Sequence, residues 1–460
     1  MYPLLRAIAG IALRWYYRDV QVEGLERIPL RRPLLLVVNH PNALVDALLI
    51  GWVVPRRVLV TAKSTLFQGP FANVALRALG VLPLYRASDV PPGEHMCRVR
   101  NRDSFQAVHH ALRDGSTVLI FPEGKTHDEP SLAPLKTGAA RMAIQAIDAG
   151  DVNDLAIVPI GLTFEQKDTP RTRVLVQIGE PIVMEVWRSL GNVSRAAALT
   201  AEIDARLRAI TLNYPTNDDA VRAVQLSSLI AALFEPVPPI GVVDRGLGTE
   251  TAIARRIGTI SASLPLAEHA LRAQADQLIR RLDAVHRIAS SHGVLIEDVG
   301  ISLKNRPALR FTVREGWLLV IGGPFALWGR INHWFPFRAA RAVAMRSVDS
   351  AADPAMRTIV AGAAFVSLAY LAQSAAVAAI WGPAAGLCYL VSLPLAAEIN
   401  FYLTSRLGRA ARRARTYVRF RRDPDLQQRL SADLEALRED LTAFDRALAK
   451  REAGADRISN

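Results

Sequence analysis

The chain has 460 residues, of which 50% are hydrophobic, and a formal net charge of +13. This length allows two or three domains. A basic charge combined with a high apolar content favours a protein at an anionic membrane over an ordinary soluble enzyme, because each Lys or Arg near such a surface contributes about 1 kcal/mol. The basic stretches carry no nucleic-acid-binding motif, so we expect no nucleic-acid partner. The only cysteines, Cys97 and Cys388, lack metal-ligand spacing and are consistent with a reducing compartment.

The first 17 residues are apolar and are interrupted by Arg6 and Arg14. They lack a clean cleavage site, so they predict a helix that lies in a membrane interface rather than a signal peptide.

The apolar run of residues 34–38 ends in β-branched residues and predicts a buried parallel strand, with a helix from about Asn42. His40 and Asp46 therefore lie at the carboxyl end of a strand, where open α/β sheets place their chemistry. An imidazole can take a proton near neutral pH, and a carboxylate on its other nitrogen fixes the tautomer. The alternative is structural, with His40 capping the turn and Asp46 serving the first helical turns.

Three further strands are predicted downstream. Residues 80–86 form a short extended run that ends in Arg86, residues 118–121 lead into Pro122-Glu123-Gly124, and residues 156–164 contain Pro159. The intervals are long enough for crossover helices, which predicts an α/β domain with a mostly parallel sheet and flanking helices.

In this order the four segments resemble those of the glycerolipid acyltransferase family, which includes glycerol-3-phosphate and 1-acylglycerol-3-phosphate acyltransferases. The resemblance covers roughly the first two-fifths of the chain. It implies that His40 is the general base for the acceptor hydroxyl and that Asp46 orients it. It also implies that Arg86, Glu123 and Gly124 bind the phosphate and glycerol hydroxyls of the acceptor, and that Pro159 shapes the acyl-donor side.

The spacing within the first segment departs from the common family pattern. Five residues separate His40 from Asp46, where the family commonly has four, and this variant resembles the yeast-type glycerol-3-phosphate/dihydroxyacetone-phosphate branch. One extra residue inside a helix would turn the carboxylate away by about a quarter turn, so we expect the turn at Pro41 and Asn42 to absorb it. His127 stands where many relatives have a small hydroxyl residue.

The charged candidates suit a phosphorylated ligand. Arg86 offers a planar fork to phosphate, whereas Glu123 is expected to accept a hydrogen bond from a glycerol hydroxyl or to hold a cationic side chain in place. Lysines are few, yet four of them fall in this region, which indicates phosphate or coenzyme A contacts: Lys63, Lys125, Lys136 and Lys167. Surface salt bridges and solvated loops are the alternative for each of these side chains.

We assign residues 1–190 to the acyltransferase-like domain and residues 191–310 to a helical region without a catalytic pattern. In that region helical periodicity covers residues 196–212 and 264–290, with a Pro-rich break at 236–239 between them. Its histidines, His269, His286 and His292, lie too irregularly to predict a metal site.

Residues 311–405 form a predicted membrane-associated segment. The apolar stretch 317–328 is too short to span and is broken at Gly322-Gly323-Pro324. Residues 358–380 and 384–403 have the length that a bilayer core requires and predict a transmembrane hairpin. Arginines crowd both outer ends, so the positive-inside rule places both ends in the cytoplasm. A buried helical pair in a soluble core is the alternative. Residues 406–460 form a basic tail, with a charged helix expected over 425–450.

The function expected from these features is a membrane-bound O-acyltransferase of phospholipid synthesis. The acyl group would come from acyl-CoA or an acyl carrier protein thioester as co-substrate, with no metal or other cofactor. The catalytic domain would lie on the cytoplasmic face of a phospholipid membrane, with a glycerol phosphate or lysophospholipid acceptor. Three alternatives remain open: acylation of a non-phosphate lipid, a non-catalytic scaffold that binds lipid phosphate, and a hydrolase that uses water.

Overall fold

A computed structural model describes residues 2–85, 96–152, 154–188, 195–235, 246–263, 269–346 and 354–459. The chain divides into two compact units. The first comprises residues 1–220 and 344–360, and the second comprises residues 221–343 and 361–460.

Eight strands of the described residues form one sheet in the first unit. Their bounds are β1 Asp19–Glu23, β2 Leu34–Val38, β3 Val58–Lys63, β4 Val81–Leu84, β5 Thr117–Ile120, β6 Ala156–Phe164, β7 Arg173–Ile178 and β8 Ile182–Val183. The order is β1-β7-β6-β2-β5-β3-β4, with β8 pairing β6. Every pairing is parallel except those of β6 with β7 and β8. The prediction of a mostly parallel sheet is thus confirmed.

Helices flank this sheet, as the strand spacing predicted. Their bounds are α1 Tyr2–Tyr16, α2 Ala43–Val53, α3 Pro70–Ala78, α4 Met96–Arg113, α5 Gly138–Asp148, α6 Glu185–Arg188 and α7 Arg195–Ile210. The central strand β2 is buried at all five positions because helices cover both of its faces. This burial explains why it reads as a continuous apolar run.

Helix α1 packs on α2 through Gly10, where an added Cβ would stand 2.5 Å from Nε1 of Trp52. Leu13 and Tyr16 complete the buried face. Leu4, Ile8 and Ile11 lie on the other side and are more than half exposed. An apolar face without a covering element fits the expected interfacial helix.

The other helices extend from the end of the first unit through the second, with bounds α8 Asn217–Phe234, α9 Leu247–Ser263, α10 His269–Ser291, α11 Asn305–Arg346, α12 Pro354–Trp381, α13 Pro383–Arg422 and α14 Pro424–Ser459. Buried side chains of α8, α10, α13 and α14 share one core, which includes Leu282, Phe420 and Leu437. The predicted break at 236–239 lies outside the described residues.

Helices α12 and α13 are joined by Gly382, whose φ of +91° suits a residue without a Cβ. Among the described residues these two helices are long and apolar enough to cross a membrane. In the most apolar 18-residue segment of each, only 11% (α12) and 22% (α13) of the residues are buried. At Gly386 an added Cβ would lie 2.6 Å from the Cβ of Ala378, so the two helices are in close contact. The predicted pair of apolar helices is present.

The predicted break in the apolar stretch 317–328 is wrong. Helix α11 runs from Asn305 to Arg346 and contains both Pro324 and Pro336. Gly329 of this helix serves packing instead, because a Cβ there would overlap the carbonyl oxygen of Ala396 in α13.

Candidate active site

His40 and Asp46 are in direct contact at the carboxyl end of β2. Nδ1 of His40 lies 3.0 Å from Oδ2 of Asp46. The Asp46 side chain is fully buried, whereas His40 keeps 15% of its side-chain surface exposed. A carboxylate on Nδ1 makes this nitrogen the N–H donor, which leaves Nε2 with the lone pair that can accept a proton. The geometry therefore supplies a base whose Nε2 is left without the Asp46 contact, on a side chain that is partly exposed.

An unusual backbone conformation stands at the first residue of α2, between His40 and Asp46. Ala43 has a φ of +38°, which is uncommon for a residue with a side chain. The N–H of Asn42 donates to Oδ2 of Asp46 at 2.8 Å, so the carboxylate holds both the turn and the imidazole. The unusual backbone conformation is thus at Ala43, one residue later than the Pro41-Asn42 turn where it was expected. Asp46 both holds this turn and orients His40, so its structural and chemical interpretations are compatible.

The imidazole ring of His40 is stacked on Phe121, which follows β5. The two ring centroids are 3.7 Å apart and the planes differ by 14°. Since β2 and β5 are parallel neighbours, their carboxyl ends bring these two rings together. The stack and the Asp46 contact fix the ring from two directions.

Glu123 lies inside the protein and is 2% exposed. Its Oε1 accepts the backbone N–H of His40 at 2.8 Å, and its Oε2 accepts the N–H of Ala133 at 2.9 Å. Oε2 also pairs with Nε2 of His127. The two expectations for Glu123 were a glycerol hydroxyl and a cationic side chain, whereas the observed partners are two backbone N–H groups and an imidazole.

Two residues at this site were not predicted to have their observed roles. The side chain of Asn39, directly after β2, makes two hydrogen bonds to the backbone of Leu162 in β6. Its Nδ2 donates to the Leu162 carbonyl at 3.0 Å, and its Oδ1 accepts the Leu162 N–H at 2.7 Å. Nζ of Lys167 donates to the carbonyl of Pro41 at 3.2 Å and pairs with Asp128. Lys167 was expected to contact phosphate or coenzyme A. For the Asn39 contact, the only signal in the sequence was an asparagine directly after a predicted strand.

Asn42 is fully buried beneath the turn and connects it to the end of α1. Its Nδ2 donates to the hydroxyl of Tyr17 at 3.2 Å and to the carbonyl of Lys167 at 3.3 Å. Burial raises the pKa of the Tyr17 hydroxyl far above its usual value, so this group stays neutral.

Gly124 and Lys136 lie together in the turn after β5. Gly124 has a φ of +73°, and an added Cβ would come 3.1 Å from Cδ and 3.4 Å from Nζ of Lys136. The backbone N–H of Lys136 donates to the carbonyl of Pro122 at 2.9 Å. The structure therefore brings the Lys136 ammonium to the turn that carries Glu123.

The remaining predicted cations are less well defined. Lys63 is exposed at the carboxyl end of β3, where its backbone lies opposite Leu84 of the parallel strand β4. Lys125 is exposed in the turn after Gly124. Arg86 lies outside the described residues.

Pro159 is buried in the middle of β6, opposite Val37 of β2. Its carbonyl accepts the N–H of Gly179 at 2.8 Å. In a strand, the carbonyl and the nitrogen of one residue point to the same side. The N–H that Pro159 lacks would therefore face the short connection between β7 and β8, and the hydrogen bonds between β6 and β2 are unaffected. This position is inside the sheet.

The described residues contain no group of three or more His, Cys, Asp or Glu side chains placed to hold a metal ion. The arrangement that they do contain is a buried carboxylate, a partly exposed imidazole, and cations on the neighbouring turns.

Comparison with known proteins identifies this part of the chain. Residues 19–163 match the family model described as Acyltransferase. Residues 19–163 are an acyltransferase domain. The matched range contains nine of the ten predicted site residues, and Lys167 lies just beyond it. The resemblance to the glycerolipid acyltransferase family is confirmed.

Several curated proteins are similar to this acyltransferase domain. Glycerol-3-phosphate O-acyltransferase 2 of Saccharomyces cerevisiae is 32% identical over 33% of this chain and 21% of its own length. The 1-acyl-sn-glycerol-3-phosphate acyltransferase of Borreliella burgdorferi is 27% identical over 31% of this chain and 53% of its own length. The chain thus spans from about a fifth to about half of these two relatives.

A solved structure also matches. The crystal structure of a 1-acyl-sn-glycerophosphate acyltransferase from Thermotoga maritima is 20% identical to this chain, covers 45% of it and 78% of the solved chain, and has a TM-score of 0.33.

Proposed function

We propose that this chain is a membrane-bound O-acyltransferase of phospholipid synthesis. It would move a fatty acyl group from a coenzyme A or acyl carrier protein thioester to a hydroxyl of glycerol-3-phosphate or 1-acylglycerol-3-phosphate. The observation that supports this most is the buried Asp46 carboxylate on Nδ1 of His40, at the carboxyl edge of a parallel sheet. The names of the similar proteins supply the substrate class.

In this proposal Nε2 of His40 removes the proton from the acceptor hydroxyl as its oxygen attacks the thioester carbonyl. Asp46 stabilises the imidazolium that forms. The C–S bond then breaks, and the thiolate takes the proton back from His40 as it leaves as a thiol. Acyl transfer therefore needs no covalent enzyme intermediate.

We assign the acceptor phosphate to cations near the carboxyl edge of the sheet. Lys136 is the best supported of these, because its side chain lies against Gly124 in the turn after β5. Arg86 follows β4 in sequence and keeps its proposed role in phosphate binding, as do Lys63 and Lys125. Pro159 remains a proposed determinant of the acyl-donor side, acting through the shape of the sheet.

The test is acyl transfer by the full chain reconstituted in vesicles, with a long-chain acyl-CoA and either glycerol-3-phosphate or 1-acylglycerol-3-phosphate. We expect ester product with one acceptor and little free fatty acid when no acceptor is added. Failure with both acceptors, and also with acyl carrier protein thioesters, would contradict the proposed substrates. Release of fatty acid without any acceptor would favour a hydrolase instead.

The hairpin α12–α13 is the proposed membrane anchor, with both of its ends on the cytoplasmic side because arginines flank it. Leu387, Val391 and Leu395 form an exposed apolar stripe on α13 and are 54–63% exposed. A charge at the centre of a spanning helix costs about 2.5–3.5 kcal/mol. Exposed apolar positions of this kind are expected to face lipid.

We therefore predict that the full chain stays in the membrane pellet after alkaline carbonate extraction and that the double variant Leu387→Arg/Val391→Arg is released in large part. The matched control is Val418→Arg, which should stay in the pellet. Val418 is 48% exposed on the same helix but lies beyond its apolar part. Release of the unaltered chain by carbonate would contradict the anchor.

A further inference from the structure

We infer that His127 is a positioning residue for the proposed reaction: through the carboxylate of Glu123 it fixes the backbone of the turn that carries His40. The activity part of this inference rests on the proposed function, whereas its structural part does not.

The hydrogen bonds of His127 define its tautomer. Its Nδ1 accepts the backbone N–H of Glu129 at 3.2 Å, so Nδ1 carries a lone pair. The proton of the neutral ring is then on Nε2, which faces Oε2 of Glu123. His127 thus donates to Glu123 and has no ring nitrogen left for substrate. Its side chain is 12% exposed, beside a Glu123 side chain that is 1% exposed.

Both oxygens of Glu123 accept hydrogen bonds from within the protein. Three donors meet its two oxygens, namely the N–H of His40, the N–H of Ala133 and Nε2 of His127. A buried carboxylate is stable only when such donors surround it. His127 supplies the only donor of the three that is a side chain, so it is the one that a substitution can remove.

The His40 turn is held at two levels. Asp46 and Phe121 fix the imidazole ring, and Glu123 fixes the backbone nitrogen of the same residue. Without the His127 donor, the Glu123 carboxylate must find another partner, and rotation toward solvent would release the His40 N–H. Small displacements of a reacting group are costly, since a shift of about 1 Å can lower a rate about 10²-fold.

The experiment compares two amides at position 127 in the full chain. In His127→Gln the amide nitrogen can take the place of Nε2 and still donate to Glu123. In His127→Asn the amide oxygen can take the place of Nδ1 and still accept the Glu129 N–H, but the donor to Glu123 is lost. Both substitutions remove the ring, so they differ mainly in which contact survives.

We expect His127→Gln to keep kcat within about threefold of the unaltered protein. His127→Asn should lower kcat by about 10- to 100-fold, the range for loss of a hydrogen bond to a charged group, with little change in the KM of the acceptor. Hydrogen exchange of the His40 amide, measured by fragmentation mass spectrometry, should be fast in His127→Asn and slow in His127→Gln. In a Glu123→Gln background, His127→Asn should cause little further loss.

Equal loss of activity in the two amide variants, or unchanged exchange at His40 in His127→Asn, would overturn the inference. So would a rise in the KM of the acceptor with an unchanged kcat, because Glu123 would then be serving the substrate. If the unaltered chain shows no acyl transfer while the exchange pattern is as expected, the proposed function fails and the positioning role stands.

Discussion

Replacing His40 by alanine is expected to lower kcat for acyl transfer by about 10² to 10⁴-fold, the usual contribution of a general base. Asp46→Asn should lower it by up to about 10⁴-fold, because a neutral amide stabilises the imidazolium less and no longer enforces the tautomer. Initial rates of the reconstituted chain with saturating acyl-CoA and acceptor measure both effects. Binding of the acceptor should change little in either variant.

A second histidine–carboxylate pair in the same unit provides the control. His109 lies 2.7 Å from Asp151, whose side chain is 42% exposed. These two residues precede β5 and β6, near the amino ends of those strands, whereas His40 follows the carboxyl end of the parallel strand β2. His109→Ala should leave the rate unchanged. A folded His40→Ala variant that keeps more than a tenth of the activity would exclude His40 as the base.

The second large effect is expected at Gly161, in the central strand β6. An added Cβ would lie 2.5 Å from the carbonyl oxygen of Ile210 at the end of α7 and 3.1 Å from its carbon. A backbone group cannot turn aside as a side chain can, so Gly161→Ala should destabilise the first unit by about 3 kcal/mol, the upper part of the usual range for overpacking. For a unit of this size we expect the Tm to fall by about 6–12 °C.

Gly51 is the matched control because an added Cβ meets no atom within 4 Å and the residue lies in helix α2. Gly51→Ala should raise the stability by about 0.5–1 kcal/mol through the lower entropy of the unfolded chain. Thermal unfolding followed by circular dichroism measures both variants. A Tm of Gly161→Ala equal to that of the unaltered chain would contradict the close contact between β6 and α7.

The sequence allowed the sheet and the His40–Asp46 pair to be predicted because their signals are local. Apolar runs with β-branched residues mark β2, β5 and β6. A histidine directly after such a run must lie at the carboxyl edge of the sheet, because the strand ends there. Helix α11 was not predicted correctly, because Gly322 and Pro324 read as a break by local preference. In the structure α11 is continuous and its Gly329 packs on α13, a contact between positions distant in sequence that local preference does not reveal.

The contacts that complete the site are also non-local. Glu123 meets the His40 N–H across 83 residues, and Lys167 meets the Pro41 carbonyl across 126. A carboxylate and an ammonium in a sequence do not reveal whether they will face substrate or the backbone of a distant turn. The lysine cluster was therefore interpreted as a ligand site, although at least Lys167 holds the turn.

Ala43 has a consequence for how such domains are found. Its φ of +38° lies between His40 and Asp46, and the carboxylate still contacts the imidazole although five residues separate them. Since Glu123 and Lys167 anchor the turn from other loops, an insertion or deletion of one residue here is absorbed locally, at about 1–2 kcal/mol for one left-handed residue. A search pattern that fixes the interval between the histidine and the aspartate at four residues would therefore miss this chain.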